Sequence, residues 1–488
     1  MRSPHRRGSS IFNSESYKVD EGESEPLLQS SSSTKLYTRR WYILAAFSLT
    51  GIVDGIMWNT WGPLNQSAKA VYNWSNTELA VVINWGNIMY GLFIFVASYI
   101  MDTKGLRVAV VSSMGILVLG AGLRMVSMKP TPATWLNNVG QILLGIAGCV
   151  PYAGASLVSA TWFPVNQRAT ATSIASMCCY IGDGLAFIIG PLIVKQLRWT
   201  KLTDSIHSNV SFSIGLPPPH NVSNTSDPYD VARQRKELFM LYLIEFGFAA
   251  GLFLMTLIYF PAKPPTAPSL SAATERMKYK DGLLALTKSS QFWLINAAFS
   301  PNGVFLGWTS VLGVILSAVG INQDEAGWIG FYMIVAGCVG GITVARFSDI
   351  FNRRVKLFVT TMYLVSAACL TWFTLMLVGY IPFTTVQIYI SCIIVGLCLN
   401  GSFPLFMEMA CESAYPVAEG ITCGYLTMIH NTITSLVLAV LMIPGVGTQW
   451  MNWTLLAFVV LGIPFIFVYK ADRQRSDRDD TRPVINDH

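Results

Sequence analysis

The sequence predicts an all-α polytopic membrane protein with twelve transmembrane helices in two six-helix halves. Three observations lead there. The chain has 488 residues, 52% hydrophobic and only 12% charged, against about one quarter charged in an ordinary soluble domain. Its apolar residues fall in runs that can cross a hydrocarbon core of about 30 Å, which takes about 20 helical residues. Two loop sequences also recur about 250 residues further on, between such runs, as expected of a bundle whose halves carry the same set of helices. Asp102-Thr-Lys-Gly105-Leu-Arg107-Val108 returns as Asp349-Ile-Phe-Asn352-Arg353-Arg354-Val355, and Phe163-Pro164-Val165 returns as Tyr415-Pro416-Val417. Lipid-compatible sequence on this scale must satisfy its backbone internally, which helices do, so a soluble multi-domain protein is excluded.

The predicted spans are 41–64, 78–101, 106–127, 135–160, 168–194, 237–260, 291–318, 326–346, 355–379, 385–407, 420–444 and 449–469. Residues 1–40 are polar, Ser-rich and partly acidic, a disordered tail without a removable signal peptide. Most of the 33 Lys and Arg lie in the tails, the even-numbered loops and the central linker. That bias places both termini in the cytosol. The net charge of +6 is therefore an orientation signal and does not point to nucleic acid. The domain organisation read here is a cytosolic tail (1–40), a first half (41–260), a cytosolic linker (261–290), a second half (291–470) and a cytosolic tail (471–488). Pro261-Ala-Lys-Pro-Pro opens the linker, because proline stops the sixth helix.

Within the first tail, Glu23-Ser-Glu-Pro-Leu27-Leu28 has an acid four positions before a leucine pair that has no core to enter. This is the acidic dileucine pattern read by sorting adaptors, and it points to endosomes and lysosomes. Loop 195–236, placed on the luminal side, holds three N-glycosylation sequons at Asn209, Asn221 and Asn224. The nine cysteines lie in or beside spans, and the long luminal loop has none, so no disulfide framework is expected.

The repeated loop reads as a gate. Asp102 starts a turn, Gly105 tolerates positive φ there, and Arg107 opens the next helix and can bridge to a neighbour. Asp349 and Arg354 are the second copies, and Asn352 replaces the glycine. Arg168 opens the fifth span after Pro164, where the second half has Gly420, with Glu419 one place earlier.

Charged groups inside the membrane cost about 2.5–3.5 kcal/mol each on insertion scales, so they need a cavity or a partner. Arg124 and Glu245 are close enough to span ends to snorkel. Asp54, Asp183 and His430 are the candidates for proton coupling. Asp183 is about 22 Å into its span and His430 about 15 Å, near the midplane. In span one, Gly62-Pro63 can break the helix and free backbone groups toward a cavity near the midplane. Substrate contacts are expected from Trp58, Asn59, Trp61, Asn84, Trp85, Asn87, Tyr90, Trp308, Asn400 and Asn431. Several indoles with amides and few charges suit a flat or cationic organic molecule.

The loop motifs resemble the signatures of the major facilitator superfamily. RRWYILAAFSL at the start of span one, WNTWGPLNQSA and the tail dileucine resemble solute carrier family 49, the feline leukaemia virus subgroup C receptor-related family, in its lysosomal disrupted in renal carcinoma protein 2 branch. The resemblance covers about 41–470. It implies the major facilitator fold and a lysosomal carrier that exports pyridoxine to the cytosol, driven by protons. It also implies that the family's cavity tryptophan falls on Trp58 and its span-eleven glutamine on Asn431. The span-seven tyrosine that helps cage choline falls on Leu306, which favours an aromatic alcohol over choline. Choline, ethanolamine or a haem-like metabolite remain alternatives on the same fold, and a non-transporting receptor is a third reading. The expected partners are the substrate, protons, the bilayer and sorting adaptors, with the chain a monomer. No cofactor or metal site is expected, and no phosphate loop or nucleophile–base set suggests an enzyme.

Overall fold

A computed structural model describes residues 36–194, 228–266, 268, 277–317, 319–321, 323–350, 355–382, 384–441, 443 and 446–470. Glu23, Leu27 and Leu28, the sequon residues Asn209, Asn221 and Asn224, and Arg354 lie outside the described residues, as does the side chain of Asp349. The described residues form helices: α1 (Arg39–Trp58), α2 (Asn65–Tyr72), α3 (Asn76–Tyr99), α4 (Leu106–Met125), α5 (Pro130–Ala153), α6 (Ala155–Trp162), α7 (Arg168–Ile193) and α8 (Pro228–Ile258). After the linker come α9 (Tyr279–Lys288), α10 (Ser290–Ser310), α11 (Leu312–Ser317), α12 (Gln323–Ile350), α13 (Val355–Val378), α14 (Thr385–Ala414), α15 (Glu419–Val440) and α16 (Gln449–Val468).

Among the described residues, eleven helices are long and apolar enough to cross a membrane. The twelfth crossing is α10, whose 21 residues give the length but include Gln291, Asn296, Ser300, Asn302, Thr309 and Ser310. Asn296 and Asn302 are buried, Thr309 and Ser310 line a cavity, and α10 packs against α14, α15 and α16.

Span ten runs on to Ala414 and span six starts at Pro228, and three predicted spans are broken. Span one stops at Trp58 rather than residue 64, after 20 residues, which at 1.5 Å per residue already traverses about 30 Å. Its break therefore sits at the end far from the linker and not at the midplane. Thr60 Oγ1 bonds back to the Ile56 and Met57 carbonyls at 3.2 and 3.0 Å, which competes with further helix. After Gly62-Pro63 the chain forms the unpredicted α2, closed by Asn73 at φ 58°. Span four is two helices meeting at Gly154, three residues beyond Pro151, which has no amide hydrogen to give the helix. Span seven breaks at Val311, after Thr309 and Ser310 have each bonded their i−4 carbonyl.

Three apolar cores are present among the described residues, a small one around Trp61, Trp74 and Tyr242 and two larger ones that organise the halves. Of the larger two, one joins Phe47, Met57, Ile94 and Leu144 of the first half. The other joins Phe292, Phe299, Phe403 and Leu455 of the second half and takes in Met177 and Tyr180 of α7. The halves meet along two seams. At α7–α12 the contacts are mostly apolar, such as Ile334 near Gly184, with Cys338 Sγ donating to the Met177 carbonyl at 3.5 Å. At α3–α15 they are polar. Ser435 Oγ donates to Asn84 Oδ1 (3.0 Å), Tyr90 OH to Thr427 Oγ1 (2.7 Å), Ser98 Oγ to the Gly420 carbonyl (3.0 Å), and the Ile421 amide to Asp102 Oδ2 (3.0 Å).

Candidate functional site

The end of α1 places Trp58 and Asn59 against α5 and α7. The Trp58 carbonyl accepts from Gln141 Nε2 at 3.4 Å, and its ring lies 5.8 Å from Tyr152 at a 54° tilt. Asn59 Nδ2 donates to the Asp183 carbonyl at 3.3 Å. Tyr152 OH donates to Asp183 Oδ2 at 3.3 Å, while Asp183 Oδ1 is buried without a hydrogen-bond partner. A chain of rings continues from Tyr152 to Tyr180 (6.1 Å) and Phe403 (5.3 Å). His430 closes it, stacked on Phe299 at 5.3 Å and edge-on to Phe403 at 5.9 Å, with Nδ1 unbonded.

Three cavities run inward from the end far from the linker. The mouth, about 370 Å³, lies among Pro63, Phe187, Pro191, Ser310 and Trp328. It shares Phe187, Thr309 and Ser310 with a chamber of about 40 Å³ lined by Trp58, Asn59, Asn87, Asp183, Leu306 and Asn400. That chamber shares Trp58, Tyr180, Asp183 and Leu306 with an inner one of about 20 Å³, where Tyr152, Phe403, Thr427, His430 and Asn431 complete the lining. Ligand pockets run to about 300–1,000 Å³ and a water needs about 10–15 Å³, so the inner chambers have room for a few waters and must widen for a substrate. A separate cleft of about 720 Å³ at the linker end, between Asp102, Lys104, Lys278 and Glu419, shares no lining residue with them.

Of the residues selected from sequence, Trp58, Asn59, Asn87, Asp183, Asn400, His430 and Asn431 come together here. Asp54 lies behind the wall, 1% exposed, both oxygens unbonded and within electrostatic reach of Asp183. Asn84 and Tyr90 belong to the α3–α15 seam. Trp85 is turned to α5, giving its indole hydrogen to Asn138 Oδ1 at 2.8 Å. Trp308 is in the second core, donating to Asn452 Oδ1 at 2.7 Å.

Trp61 belongs to a different cluster, edge-on to Trp74 at 4.9 Å and beneath the Arg124 guanidinium at 5.8 Å. Arg124 does not snorkel. It is fully buried, 3.2 Å from Glu245 and 4.6 Å above the Tyr242 ring. Glu245 also accepts from Thr60 Oγ1 at 3.0 Å, so the pair fastens the turn after α1. Sequence reading missed this pair, and it missed Tyr152, Tyr180 and Phe403. Only Tyr180 left a trace, three positions from Asp183 and so on the same helix face.

At the linker end, Gly105 adopts φ 92°, as the turn requires. Arg107 Nη2 donates to the Leu257 carbonyl at 2.9 Å. Asp102 crosses to the other half and caps the start of α15, where an anion meets the positive end of the helix. This explains Gly420: a side chain there would collide with the Asp102 carboxylate. Arg168, 2% exposed, opens α7. Asp349 stands in the last turn of α12.

Residues 42–202 match the Major Facilitator Superfamily profile. The chain is 37% identical over 464 residues to Solute carrier family 49 member 4 homolog of Xenopus tropicalis, covering 93% of this chain and 96% of that one. The chain belongs to solute carrier family 49. Choline/ethanolamine transporter FLVCR1 of Mus musculus is 26% identical, with 83% of this chain and 70% of that one covered. The E. coli fucose:proton symporter FucP superposes with a TM-score of 0.61 at 13% identity, covering 88% of this chain and 99% of FucP. This family 49 member is therefore a multi-pass transporter of the major facilitator fold and not an enzyme.

Proposed function

We propose that this family 49 carrier exports pyridoxine from the acidic lysosomal lumen to the cytosol, driven by the proton gradient, through alternating access of its two halves. The observation that carries this reading is the connected series of cavities ending at Trp58, Tyr152, Tyr180 and Phe403, with Asp183, His430 and Asn431 in the same walls. Ring faces take a flat heteroaromatic, the amides of Asn59, Asn400 and Asn431 take hydroxyls, and the acid and imidazole take part in proton exchange. Asp54, behind Asp183, belongs to the same proton-handling group. In this reading both termini and the linker are cytosolic, the mouth beside Pro63 faces the lumen, and Glu23, Leu27 and Leu28 recruit sorting adaptors. Asn209, Asn221 and Asn224 are luminal glycan acceptors.

Uptake of labelled pyridoxine into proteoliposomes of the purified chain tests the cargo. Saturable uptake that falls at least tenfold in Trp58→Ala is expected, and uptake no greater than in protein-free liposomes would refute it.

Choline is the second reading. A ring-lined cavity also suits a quaternary ammonium, and a relative is named a choline/ethanolamine transporter. Leu306 lines both inner chambers where another ring would complete a cage.

A further inference from the structure

Among the described residues, Asp183 is the one acid lining the inner chambers and no Lys or Arg lines either; Asp183 is 7% exposed. Its two oxygens are used differently. Oδ2 accepts from Tyr152, and Oδ1 has no hydrogen-bond partner. The titratable groups around it are Asp54 on α1, Tyr152 on α5, Cys179 and Tyr180 on α7, Cys338 on α12 and His430 on α15. Among these described neighbours only His430 can become a cation, and its ring is held between Phe299 and Phe403. The site thus has a carboxylate oxygen with no cationic partner, set among rings whose faces attract positive charge.

We infer that Asp183 is the counter-ion for a substrate taken as a cation, its positive nitrogen against Oδ1 and its ring among Trp58, Tyr152 and Tyr180. This rests on the cargo reading above and replaces proton exchange at Asp183 with another cause of the proton dependence: the proton crosses on the substrate. Pyridoxine is net cationic in acid and loses that charge toward neutral pH. It would enter the site charged from the lumen and release its proton in the cytosol, so net export follows the pH gradient with no bond made or broken in the protein.

The test is equilibrium binding to the full chain in nanodiscs at pH 5 and 7.5. The probes are pyridoxine, an N-methylpyridinium carrying two hydroxymethyl groups (a cation at every pH) and the benzene with the same two groups (neutral at every pH). The wild type should bind the fixed cation at least tenfold tighter than the benzene at pH 7.5. Pyridoxine should weaken as pH rises. Asp183→Asn should erase the preference for the cation, and Asp183→Glu should retain it, which separates loss of charge from loss of fold. The inference is overturned if the wild type binds the neutral ring as tightly as the cation, if it binds neither, or if Asp183→Asn keeps the preference. Failure of pyridoxine alone, with the other two probes behaving as stated, counts against pyridoxine as cargo and upholds the counter-ion.

Discussion

Without the Glu245 carboxylate, Arg124 would be left fully buried between the rings of Trp61 and Tyr242. Removing one member of a buried ion pair costs about 3–5 kcal/mol, whereas replacing both with apolar side chains is often close to neutral. Glu245→Leu alone should therefore sharply lower the thermal midpoint of the detergent-solubilised protein, and Arg124→Met with Glu245→Leu should recover most of the loss. A double variant as unstable as the single would show that the charges do not act as a pair. At Leu306, a tyrosine would put another ring into both inner chambers. A cation–π contact of about 0.5–2 kcal/mol predicts choline binding about two- to thirtyfold tighter in Leu306→Tyr. Unchanged choline affinity would remove Leu306 from the selectivity of the site. The buried charges were legible one by one, because Arg, Asp and Glu stand out in apolar runs. Their partners were not, since Arg124 and Glu245 are far apart in sequence and meet only once α4 packs on α8.

Between elements, the linker end of the α3–α15 seam is closed by Ser98 and Asp102. Hydrogen bonds between membrane helices average about 0.6 kcal/mol in double-mutant cycles, so these two bonds hold it with about 1 kcal/mol. That biases a resting state and is small enough for substrate binding to overturn. Tyr279, on the linker helix, adds a third bond at 2.6 Å to the Phe95 carbonyl. Burial and the neighbouring Asp102 carboxyl push its phenol up to about 12. It therefore stays protonated and donating from lysosomal to cytosolic pH, and this bond gives the gate no pH dependence. Gly420→Ala would drive a methyl group into the Asp102 carboxylate and lose the cap on α15. Spin-label distances across the linker end should then shift toward the open population, and a distribution identical to wild type would show that the cap does not hold the gate. Arg354 and the side chain of Asp349, in the second copy of the loop, lie outside the described residues, while the recurrence of the loop was legible. That Asp102 reaches the opposite half was not, although Gly420 in place of a second Arg168 was its trace. The helix breaks at Trp58, Gly154 and Val311 were only partly legible, because each depends on a hydroxyl or proline acting on its own backbone within a long apolar run.

Across the whole molecule, the connected cavities open away from the linker through a mouth of about 370 Å³, and Ser98 and Asp102 join the halves at the other side. Apolar run length was enough to read the bundle, since a bilayer leaves the backbone few alternatives. The site was less legible. Its walls come from α1, α3, α5, α7, α10, α12, α14 and α15, and which side chains share a cavity depends on the packing of both halves. The aromatic wall went unread because Tyr152, Tyr180 and Phe403 look like ordinary core residues in sequence. The central claim is that a proton gradient drives pyridoxine across this chain. Its most direct test is labelled pyridoxine flux in proteoliposomes with and without an imposed pH gradient, acid on the side of the Pro63 mouth. Flux toward the neutral side should rise severalfold with the gradient and collapse when a protonophore dissipates it. Equal flux with and without the gradient would contradict the account.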